Sequence, residues 1–285
     1  MNQRKSLKEL NLLDKFLFDE AMDDPENVKT MLDIILSQNT NLKHPPQTEK
    51  EQRTSTDNRQ IRLDVYAIDE DDVIYEVEAQ KENTHNLPKR SRLYQGIIDS
   101  KLLPPGVADF NLLNEVLIVL ITPFDLFGYG LYRYTFQMRC EEVPELKLDD
   151  GATRIFLNTR GKHPELVSPE LIELLKYMER STDEVSGECK SKRIQEMHRR
   201  VCQIKASEKT EVKYMQTWEE QIMIRQEGIT EGRIEGEKIG RLRGKRELLE
   251  KLSDKFSIEQ ISEMLEIDIS ELKNIMKEIQ NEKYL

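Results

Sequence analysis

Two kinds of periodicity divide this chain. Up to about residue 165, apolar positions come in short alternating or continuous runs; beyond it they recur every three or four residues. "NLLDKFLFDEAMDDPENVKTMLDIILSQ" predicts a helix, a break and a second helix. Asp24 and Pro25 supply a cap and a first turn, and Leu32, Ile35 and Leu36 the apolar face. Asn39 to Gln47 reads as a loop. Three strands follow, near Thr48 to Thr54, Ile61 to Ile68 and Val73 to Gln80, the last two joined by the acidic turn Asp69 to Asp72. A helix starting at Pro88 is stopped by Pro104 and Pro105. Glu115 to Thr122 is almost wholly apolar, as expected of a central strand buried on both faces. "YRYTFQMRC" and "TRIFLNT" predict two more strands.

In the second half, "SPELIELLKYMER" opens on Ser168 and Pro169 and carries Leu171, Leu174, Leu175 and Met178 on one stripe. Ile194, Met197, Val201 and Ile204 follow at helix-pairing spacing. Glycine then occupies every fourth place at Gly228, Gly232, Gly236, Gly240 and Gly244. Each costs a helix about 1 kcal/mol against alanine. The stripe fits either close approach of two backbones or a weak, solvated helix. In the tail, Ser257 and Gln260 have capping-box spacing. Ile261, Met264 and Leu265 are expected to pack on Leu272, Ile275 and Met276, as in a helix-turn-helix unit or any pair of short helices. The expected organisation is an α/β domain over 1–165, a helical region over 166–226, a glycine-striped charged helix over 227–250 and a helix-turn-helix-like tail over 251–285.

Composition changes this picture in three ways. Charged residues make up 34% of the 285 and mean hydropathy is −0.67, so much of the chain must be exposed. A net charge of −11 argues against a protein that holds nucleic acid by bulk attraction, though local basic patches can still dominate. Cys140, Cys189 and Cys202 are odd in number and not tightly spaced, which reads as reduced thiols. With no secretory h-region at the start and no apolar run near ~18 residues, the expected location is the cytoplasm and no membrane partner is expected.

The chemistry concentrates in "RLDVYAIDEDDVIYEVEAQK", Arg62 to Lys81. Side chains alternate along a strand, so Arg62, Asp64, Tyr66 and Ile68 share one face, and Ile74, Glu76, Glu78 and Gln80 share another. With Asp64 roughly opposite Glu78, two carboxylates converge. They repel unless protonated or bridged by a cation, and hard oxygen ligands suit Mg²⁺ or another hard divalent ion. The same pattern also fits an exposed hairpin face decorated with acids.

"LDV" at Leu63 to Val65, "VEAQ" at Val77 to Gln80 and "LPKRSRLYQ" at Leu87 to Gln95 together resemble the Rpn family of recombination-promoting nucleases and transposases. That family belongs to the PD-(D/E)XK nuclease superfamily. "LLDKFLFDEAM", the buried strand and "ITPFDLFGYG" at Ile121 to Gly130 fit the same order, over roughly residues 10 to 160. The resemblance implies a core of order α-β-β-β-α-β, a mixed sheet flanked by helices. It also implies a metal-dependent DNA endonuclease linked to recombination or mobile elements. Asp64 matches the motif aspartate and Glu78 the (D/E) position; Gln80 stands where the superfamily usually has lysine. Glutamine can orient a water but supplies no positive charge. Arg90, on a helical stripe with Tyr94 and Ile97, is the expected source of that charge, ahead of Lys81 on the opposite face. The first helix of the superfamily often adds a carboxylate, for which Glu20 is the first candidate and Asp14, equally a helix cap, the second. Glu76 is expected near the metal and His85 in an exposed loop.

DNA contact is expected from Lys89 and Arg92, from Lys238, Arg241 and Arg243 in the basic run Lys238 to Arg246, and from the cluster Lys190, Lys192, Arg193, Arg199 and Arg200. A homo-oligomer through the C-terminal helices is the other expected partnership. The alternative to an enzyme is a catalytically inactive DNA-binding or assembly module, kept open by Gln80.

Overall fold

The computed structural model describes residues 4–52, 61–253, 255–270 and 272–273. Arg53 and Thr54 of the expected first strand, and Ile275 and Met276 of the tail, lie outside those residues, as do the side chains of Leu242 and Arg246. The chain forms two compact units, Met1–Tyr214 and Met215–Leu285.

The first unit is α/β. Helices α1 (Lys15–Met22) and α2 (Pro25–Leu36) precede strands β1 (Gln47–Gln52), β2 (Ile61–Ile68) and β3 (Ile74–Ala79). Helix α3 (Leu87–Asp99) leads to β4 (Val116–Thr122), β5 (Arg133–Phe136) and β6 (Ala152–Asn158). Helices α4 (Pro169–Glu179), α5 (Asp183–Glu188) and α6 (Lys192–Ala206) follow. The six strands form one mixed sheet in the order β1-β2-β3-β4-β6-β5. β1 to β3 form an antiparallel meander, β3, β4 and β6 run parallel, and β5 returns antiparallel on β6.

Local chemistry sets the helix starts. The Asp24 side chain accepts from the Glu26 amide at 3.0 Å ahead of Pro25, and Ser168 and Ser191 cap α4 and α6 in the same manner. α2 ends at Ser37, which has left the helix for φ +55°.

Both faces of the sheet are covered, as its nearly continuous apolar central strand requires. On one side α1, α2, α4 and α6 bury Phe18, Met31, Leu174 and Val201 against Val65, Tyr75, Val77, Val119 and Ile155. On the other, α3 sets Tyr94, Ile97 and Ile98 against Tyr66, Ile74, Ile118, Leu120 and Phe156. Any ionisable group on β3 therefore sits inside a core.

Helix α7 (Glu208–Ser253) begins in the first unit and continues through the second, and α8 (Ile258–Leu265) follows it. The capping box of Ser257 and Gln260 is present. Ile261 and Leu272 are buried against Leu249 of α7, whereas Met264, expected in this small core, is exposed because it lies off the stripe of Ile258, Ile261 and Leu265. A Cβ placed on any of the five spaced glycines meets nothing within 4 Å among the described residues. Among the described residues, no helix is long and apolar enough to cross a membrane.

Candidate active site

All six residues of β3 are buried, the two glutamates included. Glu76 pairs with Tyr66 on β2 and Ile118 on β4, and it is wholly enclosed. Neither of its carboxylate oxygens has a hydrogen-bond partner among the described residues. An unpaired buried carboxylate loses several kcal/mol of hydration when ionised. Burial, followed by the neighbouring charges of Glu78 and Asp64, accordingly holds the Glu76 proton well above the usual carboxylate range.

Glu78 lies one step further along the same face and is 6% exposed. The Arg90 guanidinium of α3 bonds its Oε1 and also donates to Gln80 Oε1 at 2.7 Å. Oε2 of Glu78 is buried without a partner among the described residues. Burial outweighs the Arg90 charge and, with Asp64 adding to it, pushes Glu78 up to about 7. The Arg90 guanidinium also lies 5.9 Å from the Tyr94 ring centre. Gln80 is bound from both ends, since its Nε2 donates to the Glu82 carbonyl at 2.6 Å.

Asp64 stands where β2 parts from β3. The pairing runs from Ile68↔Ile74 to Val65↔Val77, and one more step of that register sets Asp64 opposite Glu78. Strict alternation fails there, for Leu63 packs on the α3 side while Val65 packs on the other. The Asp64 carboxylate instead receives Lys15 Nζ of α1 at 2.5 Å. The same ammonium donates to Asp19 at 3.1 Å. Burial alone would lower Lys15, but Asp64 and Asp19 outweigh it and raise the net value. Asp19 rises to about 7, chiefly by burial and against the Lys15 charge. Asp19, Asp64, Glu76 and Glu78 are thus buried acids that feel one another's charge, with Lys15 bridging Asp19 and Asp64 and Arg90 bound to Glu78.

Other expected positions fall outside this group. The carboxylate that α1 brings to Asp64 is Asp19, not Glu20, which bonds Lys213 instead. Asp14 accepts from the Asn11 amide at 2.8 Å and from Lys81. His85 is exposed, as are Lys89, Arg92, Lys238, Arg241 and Arg243. Lys89 and Arg92 flank Arg90 on α3, whereas Lys238, Arg241 and Arg243 belong to α7 in the second unit. Of the second basic cluster, Arg193 is engaged by Glu170 and Arg200 donates to Asn27 at 2.7 Å.

Comparison with family models, curated proteins and solved structures found no match to this chain.

Sequence reasoning missed Asp19 and Lys15. The signal was present: Lys15, Asp19 and the buried Met22 lie at i, i+4 and i+7 on α1, the side that meets the sheet. The carboxylates suit a hard cation on chemical grounds. Three buried oxygens, both of Glu76 and one of Glu78, have no hydrogen-bond partner among the described residues, and burial raises the proton affinity of both acids. A divalent ion would satisfy the open oxygen of Glu78 without a proton.

Proposed function

We propose that this chain is a metal-dependent DNA endonuclease of the PD-(D/E)XK type, related to the Rpn family, that hydrolyses phosphodiester bonds. The observation that carries the reading is the orphaned pair of oxygens on Glu76 beside Glu78. A core that accepts such groups gives up stability, and functional sites are where folds do so.

In this reading Asp64 and Glu78, with the carbonyl of Ala79, would hold Mg²⁺ or another hard divalent ion, and Asp19 stands behind Asp64 through Lys15 rather than as a third ligand. When bound, the ion lowers the pKa of a water and polarises the scissile phosphate. The protein's own groups supply the rest. Arg90 holds Glu78 and Gln80 in register with one guanidinium, and its fixed charge faces the site where phosphate charge grows. Gln80 offers an amide to orient the attacking water. Lys15 neutralises Asp64 and Asp19 until a cation arrives. Burial raises the proton affinity of Glu76, which favours its neutral form and limits the negative charge against an approaching phosphate.

DNA as substrate, and a link to recombination or mobile elements, come from the family resemblance; the geometry suits any phosphodiester. Lys89 and Arg92 are the proposed backbone contacts beside the site, with Lys238, Arg241 and Arg243 adding contacts from α7. Self-association through the C-terminal helices completes the proposal. The reading predicts that nicking of supercoiled plasmid rises with Mg²⁺ or Mn²⁺ and saturates. Nicking at the same rate in excess EDTA would refute it.

A further inference from the structure

A second group of chemically potent side chains lies away from the carboxylates, where α5 meets α6. His198 and Cys202 are one helical turn apart on α6, and Asp183 opens α5. His198 Nε2 is 2.7 Å from Asp183 Oδ1 and 3.4 Å from Cys202 Sγ, and Sγ is 3.9 Å from the same carboxylate oxygen. One oxygen, one nitrogen and one sulfur thus converge from two helices on a single point.

Two ordinary explanations fit poorly. In a nucleophile relay, the histidine presents one nitrogen to the thiol and the other to the carboxylate. Here Asp183 and Cys202 approach the same Nε2, while Nδ1 faces the Tyr177 hydroxyl at 3.0 Å. A plain His–Asp ion pair accounts for neither the thiol nor the buried hydroxyl. Asp183 is 95% exposed along its side chain, so it has no need of a partner.

We propose that Asp183, His198 and Cys202 bind one Zn²⁺ ion, or a similar borderline-soft transition metal, with a fourth position open to water. Around a tetrahedral ion with bonds of ~2.0–2.3 Å, ligand atoms stand ~3.3–3.6 Å apart. Of the three separations, the 2.7 Å between nitrogen and oxygen must widen and the 3.9 Å between sulfur and oxygen must close slightly; both involve the exposed Asp183, which is free to move. A mixed carboxylate, imidazole and thiolate set selects zinc over magnesium or calcium. Tyr177 supplies the supporting bond that metal-bound histidines need: with Nδ1–H donating to its hydroxyl, the Nε2 lone pair points outward as ligand. His198 is itself buried and its ring stands edge-on to Tyr177, so its orientation is set beforehand. The neighbouring ammonium of Lys205 is turned away, donating to the Ser181 carbonyl at 3.0 Å. The ion would fasten the short α5 to α6. Binding releases the Cys202 proton, which burial and then Asp183 otherwise hold above its ordinary value. The assignment stands independently of the nuclease reading.

The test uses the full chain, stripped with chelator and titrated with Co²⁺ in excess Mg²⁺, which occupies oxygen-only sites. The expected result is a thiolate-to-cobalt charge-transfer band that saturates at one equivalent and is abolished by Zn²⁺. Cys202→Ser removes the band, while Cys140→Ser and Cys189→Ser keep it. Asp183→Asn, at an exposed position that leaves far-UV dichroism unchanged, weakens Co²⁺ binding at least tenfold. Absence of the band in the wild-type chain, its survival in Cys202→Ser, or unchanged affinity in Asp183→Asn would overturn the proposal.

Discussion

Glu78→Gln removes one buried charge while leaving an amide oxygen for Arg90 to bond. Glu78 holds its proton up to about 7 in the folded chain against an ordinary 4.5. Between those values the folded state binds more protons than the unfolded one, so stability falls as pH rises. A difference of 2.5 pK units at 1.36 kcal/mol each gives about 3 kcal/mol, most of it lost between pH 5 and 7. Glu78 is 6% exposed, so solvent screening takes little from this figure. Glu76 and Asp19 slope in the same direction, and removing Glu78's charge also relieves Glu76, which enlarges the effect. The assay is urea unfolding by far-UV dichroism in EDTA at a series of pH values, wild type against Glu78→Gln. The gap between the two curves should open by about 3 kcal/mol in favour of the variant by pH 8. A gap that stays constant with pH would mean that Glu78 ionises normally, and the account of strained buried carboxylates would fail.

Three further outcomes follow from particular contacts. Arg90→Lys cannot bond Glu78 and Gln80 together with one planar group; plasmid nicking should fall by about 10²–10³-fold with the fold intact, and a rate within threefold of wild type would remove Arg90 from the site. Leu174→Ala opens a cavity in the helix-side core and should cost about 2–5 kcal/mol in chemical unfolding; a cost below about 1 kcal/mol would show that this core is loosely packed. Gly236→Ala on α7 meets open space and should stabilise the helix by about 1 kcal/mol in thermal unfolding; a loss of stability or of oligomer mass would show that a second copy packs on the stripe.

Much of the fold is legible in the sequence because its strands are short and strongly patterned. Ile61–Ile68 coincides with the expected strand, and the caps at Asp24, Ser168 and Ser257 sit where the helices begin. The continuous run Val116–Thr122 announces a doubly covered sheet, and that covering turns Glu76 from a decorative acid into a buried one. Alternation alone could not reveal that β2 changes faces at Asp64, since that depends on where pairing with β3 ends. Nor could it choose between the adjacent Asp19 and Glu20, because one residue of helical rotation, 100°, decides which acid meets Asp64 and which meets Lys213. The length of α7 was hidden by its glycines and by the lack of any apolar stripe. The convergence on His198 was hidden by distance in sequence, with Tyr177 and Asp183 far from Cys202 until α4, α5 and α6 fold together.

The account rests on Asp64 and Glu78 sharing a hard divalent ion for phosphodiester hydrolysis. Asp64→Asn retains size and most hydrogen bonding but removes the charge that would hold the ion. Supercoiled plasmid should be nicked by the wild-type chain in Mg²⁺, and neither by that chain in EDTA nor by Asp64→Asn in Mg²⁺. Equal nicking by Asp64→Asn, or none by well-folded wild type across Mg²⁺ and Mn²⁺, would contradict it.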